Sequence, residues 1–191
     1  MKHVGSWILG AMALVTALCA VACSPVRRPD GGQGLLEVGK TAPELSGIDQ
    51  DGKPRSIADG RGKYLVVYFY PKDGTPGCTE QACAFRDAWD RYQKAGVLLF
   101  GVSADDQKDH ADFAAEHKLP FPLIADPDHV WSTAFGVSTT FGLTSRVRFV
   151  VGPDGHVSAS YADVDPGVNA RQILTDIEKL KQIPVPLRGE H

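Results

Sequence analysis

The 191-residue sequence holds little sulfur, with four cysteines and two methionines. Cys19 and Cys23 fall in the first 23 residues, so the rest of the chain has only Cys78 and Cys83. Two thiols five positions apart cannot make a multi-disulfide scaffold. They are either one staple or a redox couple. An excess of charge of one sign is also missing: 20 Lys and Arg against 23 Asp and Glu give a formal net charge of −3, with no long run of like charge. That excludes the basic footprint of a nucleic-acid surface. Aromatic residues make up 8% of the chain, too few for a base-stacking platform. There is no glycine-rich phosphate loop, no Gly-x-Ser-x-Gly elbow and no internal repeat.

What is present begins with an address. After Met1-Lys2-His3, residues 4–22 carry no charge and are mostly apolar. They end in Ala20-Val21-Ala22-Cys23, small residues leading directly into a cysteine, which resembles a bacterial lipobox. Ala20 departs from it, since leucine is preferred there. The expectation is a lipoprotein-type signal peptide over residues 1–22, cleavage before Cys23, lipid on Cys23 and a place on the bacterial cell envelope. An uncleaved anchor is the alternative, because 19 uncharged residues nearly span a bilayer; a cleaved peptide without lipid is another. Residues 23–36, with Arg27-Arg28-Pro29-Asp30 and Gly31-Gly32-Gln33-Gly34, offer nothing to bury and read as a flexible tether. One domain is expected over residues 37–191, with 43% hydrophobic residues in the chain to build its core.

Along that domain, 45–48 and 54–57 read as a hairpin around Asp51-Gly52. The unbroken run 64–70 reads as a strand covered on both faces. Residues 79–94 read as one helix with Ala82, Phe85, Trp89 and Tyr92 along a side. Then come a strand over 97–103, a helix over 106–119, a short strand over 122–125 and a short helix over 128–135. Residues 146–151 and 156–161 form a hairpin across Gly152-Pro153-Asp154-Gly155. A last helix starts near Asp165, with Ile173, Leu174, Ile177 and Leu180 as its buried stripe. The alternation predicts an α/β domain with a central mixed β-sheet flanked by helices on both faces.

The chemistry concentrates in residues 70–83. A buried strand runs into a Pro/Gly loop, and Cys78 sits where the next helix begins. Unpaired amides and the positive end of the helix dipole favour an anion there, and the thiolate is the nucleophilic form of cysteine. Thr75 can aim its hydroxyl at the same spot. Spacing alone leaves a structural disulfide about as probable as a redox couple. Helical geometry separates the two. Five residues rise ~7.5 Å and end ~140° from the starting face, which puts the Cα atoms beyond the ~7 Å a disulfide tolerates. A bond that forms only when one helical turn opens suits the pair; a permanent staple does not.

Pro71-x-x-x-Thr75-x-x-Cys78, continued by Gln81-Ala82-Cys83 and Phe85-Arg86-Asp87, resembles the active-site pattern of the peroxiredoxins, in the Q subfamily of bacterioferritin comigratory proteins. Matching segments follow in order at 101–103, 113–114, 123–126, 135–137 and 153–155, so the resemblance covers roughly residues 37–181. It implies a thioredoxin-like fold and reduction of hydrogen peroxide or organic hydroperoxides. Cys78 would be the peroxidatic and Cys83 the resolving cysteine. Pro71 would shield the site, Thr75 would hydrogen-bond the peroxide, and Arg146 fits the arginine of a later strand. It implies no cofactor and no metal, a thioredoxin-like dithiol protein as reductant, and a monomer, since an intramolecular disulfide needs no partner subunit.

Arg148 stands where relatives carry a small hydroxyl residue, and alternation puts it on one strand face with Arg146. A solvated surface charge is the commoner fate of either arginine. The same reading, surface and solvated, is given to Glu80 and to His110, His117 and His129, which no cysteine or carboxylate joins at metal-ligand spacing. Two other functions remain in view. A thioredoxin-type disulfide carrier uses two cysteines separated by two residues, against four here. A tethered binding domain would have no chemistry.

Overall fold

In the computed structural model, which describes residues 25–162 and 169–182, β1 (Ser46–Ile48) and β2 (Pro54–Ser56) form the expected hairpin. A capped 3-10 turn, Ile57–Gly60, follows. The apolar run becomes β3 (Leu65–Phe69), with every residue buried. It pairs in parallel with β4 (Leu98–Ser103) and antiparallel with β8 (Val147–Val151). β5 (Leu123–Ala125) and β9 (Val157–Ala162) complete a five-stranded mixed sheet in the order β5-β4-β3-β8-β9. A strand in the middle of such a sheet has no solvent face, which is why its sequence does not alternate.

Helices cover both faces. Val66, Tyr68, Tyr70, Leu99 and Val150 pack beneath α1 (Pro76–Asp87), α2 (Trp89–Ala95), α3 (Gln107–His117) and α5 (Asn169–Gln182). Leu65, Val67, Phe69, Phe100 and Phe149 pack against Trp131 and Phe135, at and just after α4 (Val130–Ala134). Of the expected stripe of α5, Ile173, Leu174 and Ile177 are buried and Leu180 is half-buried. The expected start of that helix at Asp165 lies outside the described residues, as do the signal-peptide residues and Cys23. Among the described residues, no helix is long and apolar enough to cross a membrane.

Three features differ from the sequence expectation. The single helix over 79–94 begins earlier, at Pro76, and breaks at Ala88, whose φ of −93° and ψ of −2° make it the cap of both pieces. A further hairpin, β6 (Thr139–Thr140) with β7 (Leu143–Thr144), precedes β8. The third is the tether, which is folded onto the domain from Pro25. Arg28 is only 5% exposed. Its guanidinium donates to the carbonyls of Gly34 and Leu35, both at 2.9 Å, and pairs with Asp30 and Glu37. Leu36 enters the core and its amide donates to the Phe135 carbonyl at 2.9 Å. A Cβ on Gly136 would strike the Gly34 carbonyl oxygen, so a glycine is needed where the segment crosses the body. The polar residues read as solvated instead satisfy one another around a buried arginine.

Candidate active site

β3 delivers its C-terminal end to the loop 71–75. The buried Tyr70 hydroxyl donates to Asp73 at 2.7 Å, and His110 Nδ1 meets the other oxygen of that carboxylate at 2.6 Å. The Asp73 amide donates to Asp105 at 2.9 Å, and the Ser103 hydroxyl to the same oxygen at 2.6 Å. Burial pushes the Tyr70 phenol well above its ordinary range, so it keeps the proton it donates. The loop is thus tied from behind to β3, β4 and α3. His110 is fully buried, which corrects the surface reading; His117 and His129 are half-buried. Asp73, Asp105 and His110 bring ligand atoms within 4.8 Å of one another, so the histidine does have carboxylate neighbours. Those oxygens already accept from Tyr70, His110, Ser103 and the Asp73 amide, and the group reads as a buried hydrogen-bond network.

α1 starts from this loop. Thr75 caps it with extended backbone, Pro76 occupies the first position, and the Thr75 carbonyl accepts from the amides of Cys78 and Thr79 at 3.0 and 2.9 Å. Proline's missing N–H costs nothing there, while the Gly77 amide has no carbonyl of its own helix to meet. The Thr75 hydroxyl gives its proton to the Lys72 carbonyl at 3.0 Å. Its oxygen is thereby left as an acceptor at the mouth of the helix.

Cys78 is 2% exposed, packed with Tyr68, Tyr70, Ala82 and Phe85. Arg146, just before β8, places Nη2 3.4 Å from Cys78 Sγ. Its Nη1 donates to the buried side chain of Gln81, on the second turn of α1. A guanidinium at that distance and the positive end of a helix both favour negative charge on sulfur. Cys83 lies half-buried further along α1, beside Arg86, and both cysteines are free. The side of α1 that carries Cys83 borders a cavity of about 300 Å³ lined by Glu80, Asp87 and Arg171.

The structure therefore brings Cys78 and Arg146 into contact. It joins Thr75 to Cys78 through the backbone and puts Pro71 on the same loop, with no described bond from either side chain to the sulfur. Glu80 is exposed, as expected. Arg148 is not a surface charge: it is fully buried on the Arg146 face of the sheet, opposite Tyr68 and Tyr161 in the pairing. Gln81 was not singled out from sequence. Its position three residues after Cys78 and four before Phe85 puts a polar side chain inside a buried stripe, and that was the available signal.

A buried thiol held against a guanidinium at a helix N-terminus, on a mixed sheet flanked by helices, defines a thiol-based oxidoreductase. The AhpC/TSA family model matches residues 38–160. Over 146 residues the chain is 44% identical to a chloroplastic peroxiredoxin Q of Sedum lineare, covering 75% of this chain and 78% of that protein. Its fold matches that of the peroxidoxin BcpB of Mycobacterium tuberculosis with a TM-score of 0.71, 28% identity and coverage of 76% and 98%. It also matches the bacterioferritin comigratory protein of Xanthomonas campestris, described for its alkyl peroxide reduction activity, with a TM-score of 0.69, 30% identity and coverage of 78% and 99%. The chain belongs to the AhpC/TSA family, with the thioredoxin-like fold of the peroxiredoxin Q group. It is a thiol-dependent peroxidase.

Proposed function

We propose that Cys78 is the peroxidatic cysteine, Cys83 the resolving cysteine, and Arg146 the cation that serves the first of them. The Arg146 contact to Cys78 Sγ carries this reading. The Cys78 thiolate attacks the terminal oxygen of a hydroperoxide. The O–O bond breaks, the alcohol or water leaves after taking a proton, and Cys78 becomes a sulfenic acid. Arg146 and the amides at the start of α1 face the charge that moves from sulfur onto the departing oxygen. Thr75 accepts a hydrogen bond from the peroxide, and Pro71 limits water at the loop. The Cys83 thiolate then attacks the sulfenic sulfur, releasing water and closing a Cys78–Cys83 disulfide. A thioredoxin-like dithiol protein reduces it by exchange. No step calls on a metal or organic cofactor, and none needs a second subunit, so the working unit is a monomer.

The overall test is stoichiometric loss of hydrogen peroxide coupled to oxidation of a dithiol protein. Exchange without peroxide loss would favour a thioredoxin-type carrier. Neither activity would leave a tethered binding domain. Within the active site, Arg146→Gln is expected to slow peroxide attack by about 10²–10³, the scale of one preorganised donor to a developing charge. Loss of the hydrogen bond to the buried Gln81 side chain costs about 1–3 kcal/mol, so the unfolding midpoint should fall while the chain stays folded under assay conditions. Stopped-flow kinetics and a urea titration read both; an unchanged rate contradicts the role.

The address is also a proposal. The uncharged run 4–22 followed by Cys23 supports cleavage before Cys23 and lipid on that residue. The protein is then a membrane-anchored lipoprotein of the bacterial envelope. Mass spectrometry of the mature N-terminus decides it: an intact Met1, or a start elsewhere with unmodified Cys23, contradicts it.

A further inference from the structure

The hairpin in front of Arg146 has an unusual tip. The pairing of Thr139 with Thr144 and Thr140 with Leu143 leaves a two-residue turn, Phe141-Gly142. Both residues have positive φ, 52° and 77°, the backbone of a type I′ turn, where Asn, Asp and Gly prevail. A bulky residue in the left-handed region is a steric outlier. The Phe141 ring is also 100% exposed, the most exposed large apolar side chain among the described residues, and Leu143 beside it is 45% exposed. The chain therefore meets two costs at one position, strain and apolar exposure. No packing of the ring within the described residues offsets them. Observed strain of this kind is a reason to look for function.

The surroundings indicate which. The hairpin is closed at its base by the Ser145 amide donating to the Ser138 carbonyl at 2.9 Å, and the two hydroxyls meet at 2.8 Å. Arg146 follows immediately, so the tip is held at a fixed distance from the active-site guanidinium. Ser138, Ser145 and Arg146 line a cavity of about 420 Å³ together with Pro25, Val26 and Leu35. The N-terminal segment thus leaves the body on the hairpin's side of the domain. Cys23 is two residues upstream of Pro25, at most about 7 Å of extended chain, and the uncharged run 4–22 ends just before it. A chain held to a membrane at Cys23 therefore presents this face to the bilayer. An exposed aromatic on a rigid tip suits the interface, where such rings partition.

We propose that Phe141, with Leu143 behind it, is a membrane-contact element that seats the active-site face on the lipid bilayer. The peroxides that reach Cys78 then include hydroperoxides of membrane lipid acyl chains. This rests on the peroxidase and lipoprotein readings above.

The test uses the full-length chain processed by a bacterial host and reconstituted in vesicles of phosphatidylethanolamine and phosphatidylglycerol, part of it oxidised to phospholipid hydroperoxide. Phe141→Asn supplies the residue a type I′ turn prefers, so the melting temperature should be equal or higher. Hydrogen peroxide reduction should be unchanged. Reduction of the vesicle hydroperoxide should fall roughly tenfold, the scale set by withdrawing one phenylalanine ring from an apolar phase. Equal rates on the vesicle substrate overturn the proposal. A detergent-solubilised dimer that Phe141→Asn splits, with the lipid rate unmoved, also overturns it, since the ring would then cover a second copy. Phe141→Trp, quenched by brominated acyl chains beyond the quenching of the unsubstituted chain, reads contact without any turnover; no added quenching overturns it. Failure of the underlying readings looks different: a chain inert toward hydrogen peroxide sinks the peroxidase assignment, and one that does not float with vesicles sinks the anchor.

Discussion

Cys78→Ser is expected to abolish peroxide reduction, lowering the rate by about four orders of magnitude or more, as removal of a catalytic nucleophile does elsewhere. A hydroxyl at this position stays protonated near neutral pH, and neither Arg146 nor the helix N-terminus supplies the base it would need. The fold should survive, because Cys78 sits with Ala82 and Phe85 in a core that serine enters with little change of volume. A stopped-flow trace with hydrogen peroxide, beside a urea titration, separates lost chemistry from lost structure. Residual turnover within tenfold of the unsubstituted enzyme contradicts the assignment of Cys78.

Cys83→Ser should give a different phenotype. One equivalent of peroxide is consumed at the ordinary rate, recycling by a dithiol protein is lost, and excess peroxide drives Cys78 on to sulfinic acid. The reason is geometric. Both cysteines lie within the continuous helix Pro76–Asp87, and helical spacing holds their Cα atoms too far apart to bond. Resolution therefore requires residues 79–82 to leave the helix, a local opening far cheaper than global unfolding. While it is slow, the sulfenic acid waits exposed to a second peroxide. Amide hydrogen exchange across residues 78–90 should show protection in the reduced chain and its loss in the disulfide form. Unchanged protection would rule out unwinding.

Much of this was legible in the sequence, for reasons that can be named. The seven-residue run at 64–70 is apolar because β3 is covered on both faces. The Pro/Gly loop and Cys78 are local in sequence and local in space, so the helix start could be read directly. Arg146 is far from Cys78 along the chain, and only the family resemblance put it there. Other features depended on distant partners that composition does not show. Arg28 is an exception, with every described partner within nine residues, Asp30, Gly34, Leu35 and Glu37; it looked solvated because two of its acceptors are backbone carbonyls, which no side-chain pattern announces. His110 looked exposed, although its spacing to Phe113 and Ala114 places all three on one helical face. The β6–β7 hairpin was missed because its turn is Phe-Gly where Asn-Gly would have announced it.

The central claim is that one peroxide converts the Cys78 and Cys83 thiols into a single intramolecular disulfide. Trypsin cutting after Lys72 and Arg86 would release both cysteines on one peptide, residues 73–86. After one equivalent of hydrogen peroxide and quenching with an alkylating reagent, mass spectrometry should find that peptide unalkylated and lighter by two hydrogens than its reduced form. It should return to the doubly alkylated form when a dithiol is added first. A peptide that still takes up two alkyl groups after peroxide, or a disulfide joining two chains, would contradict the account.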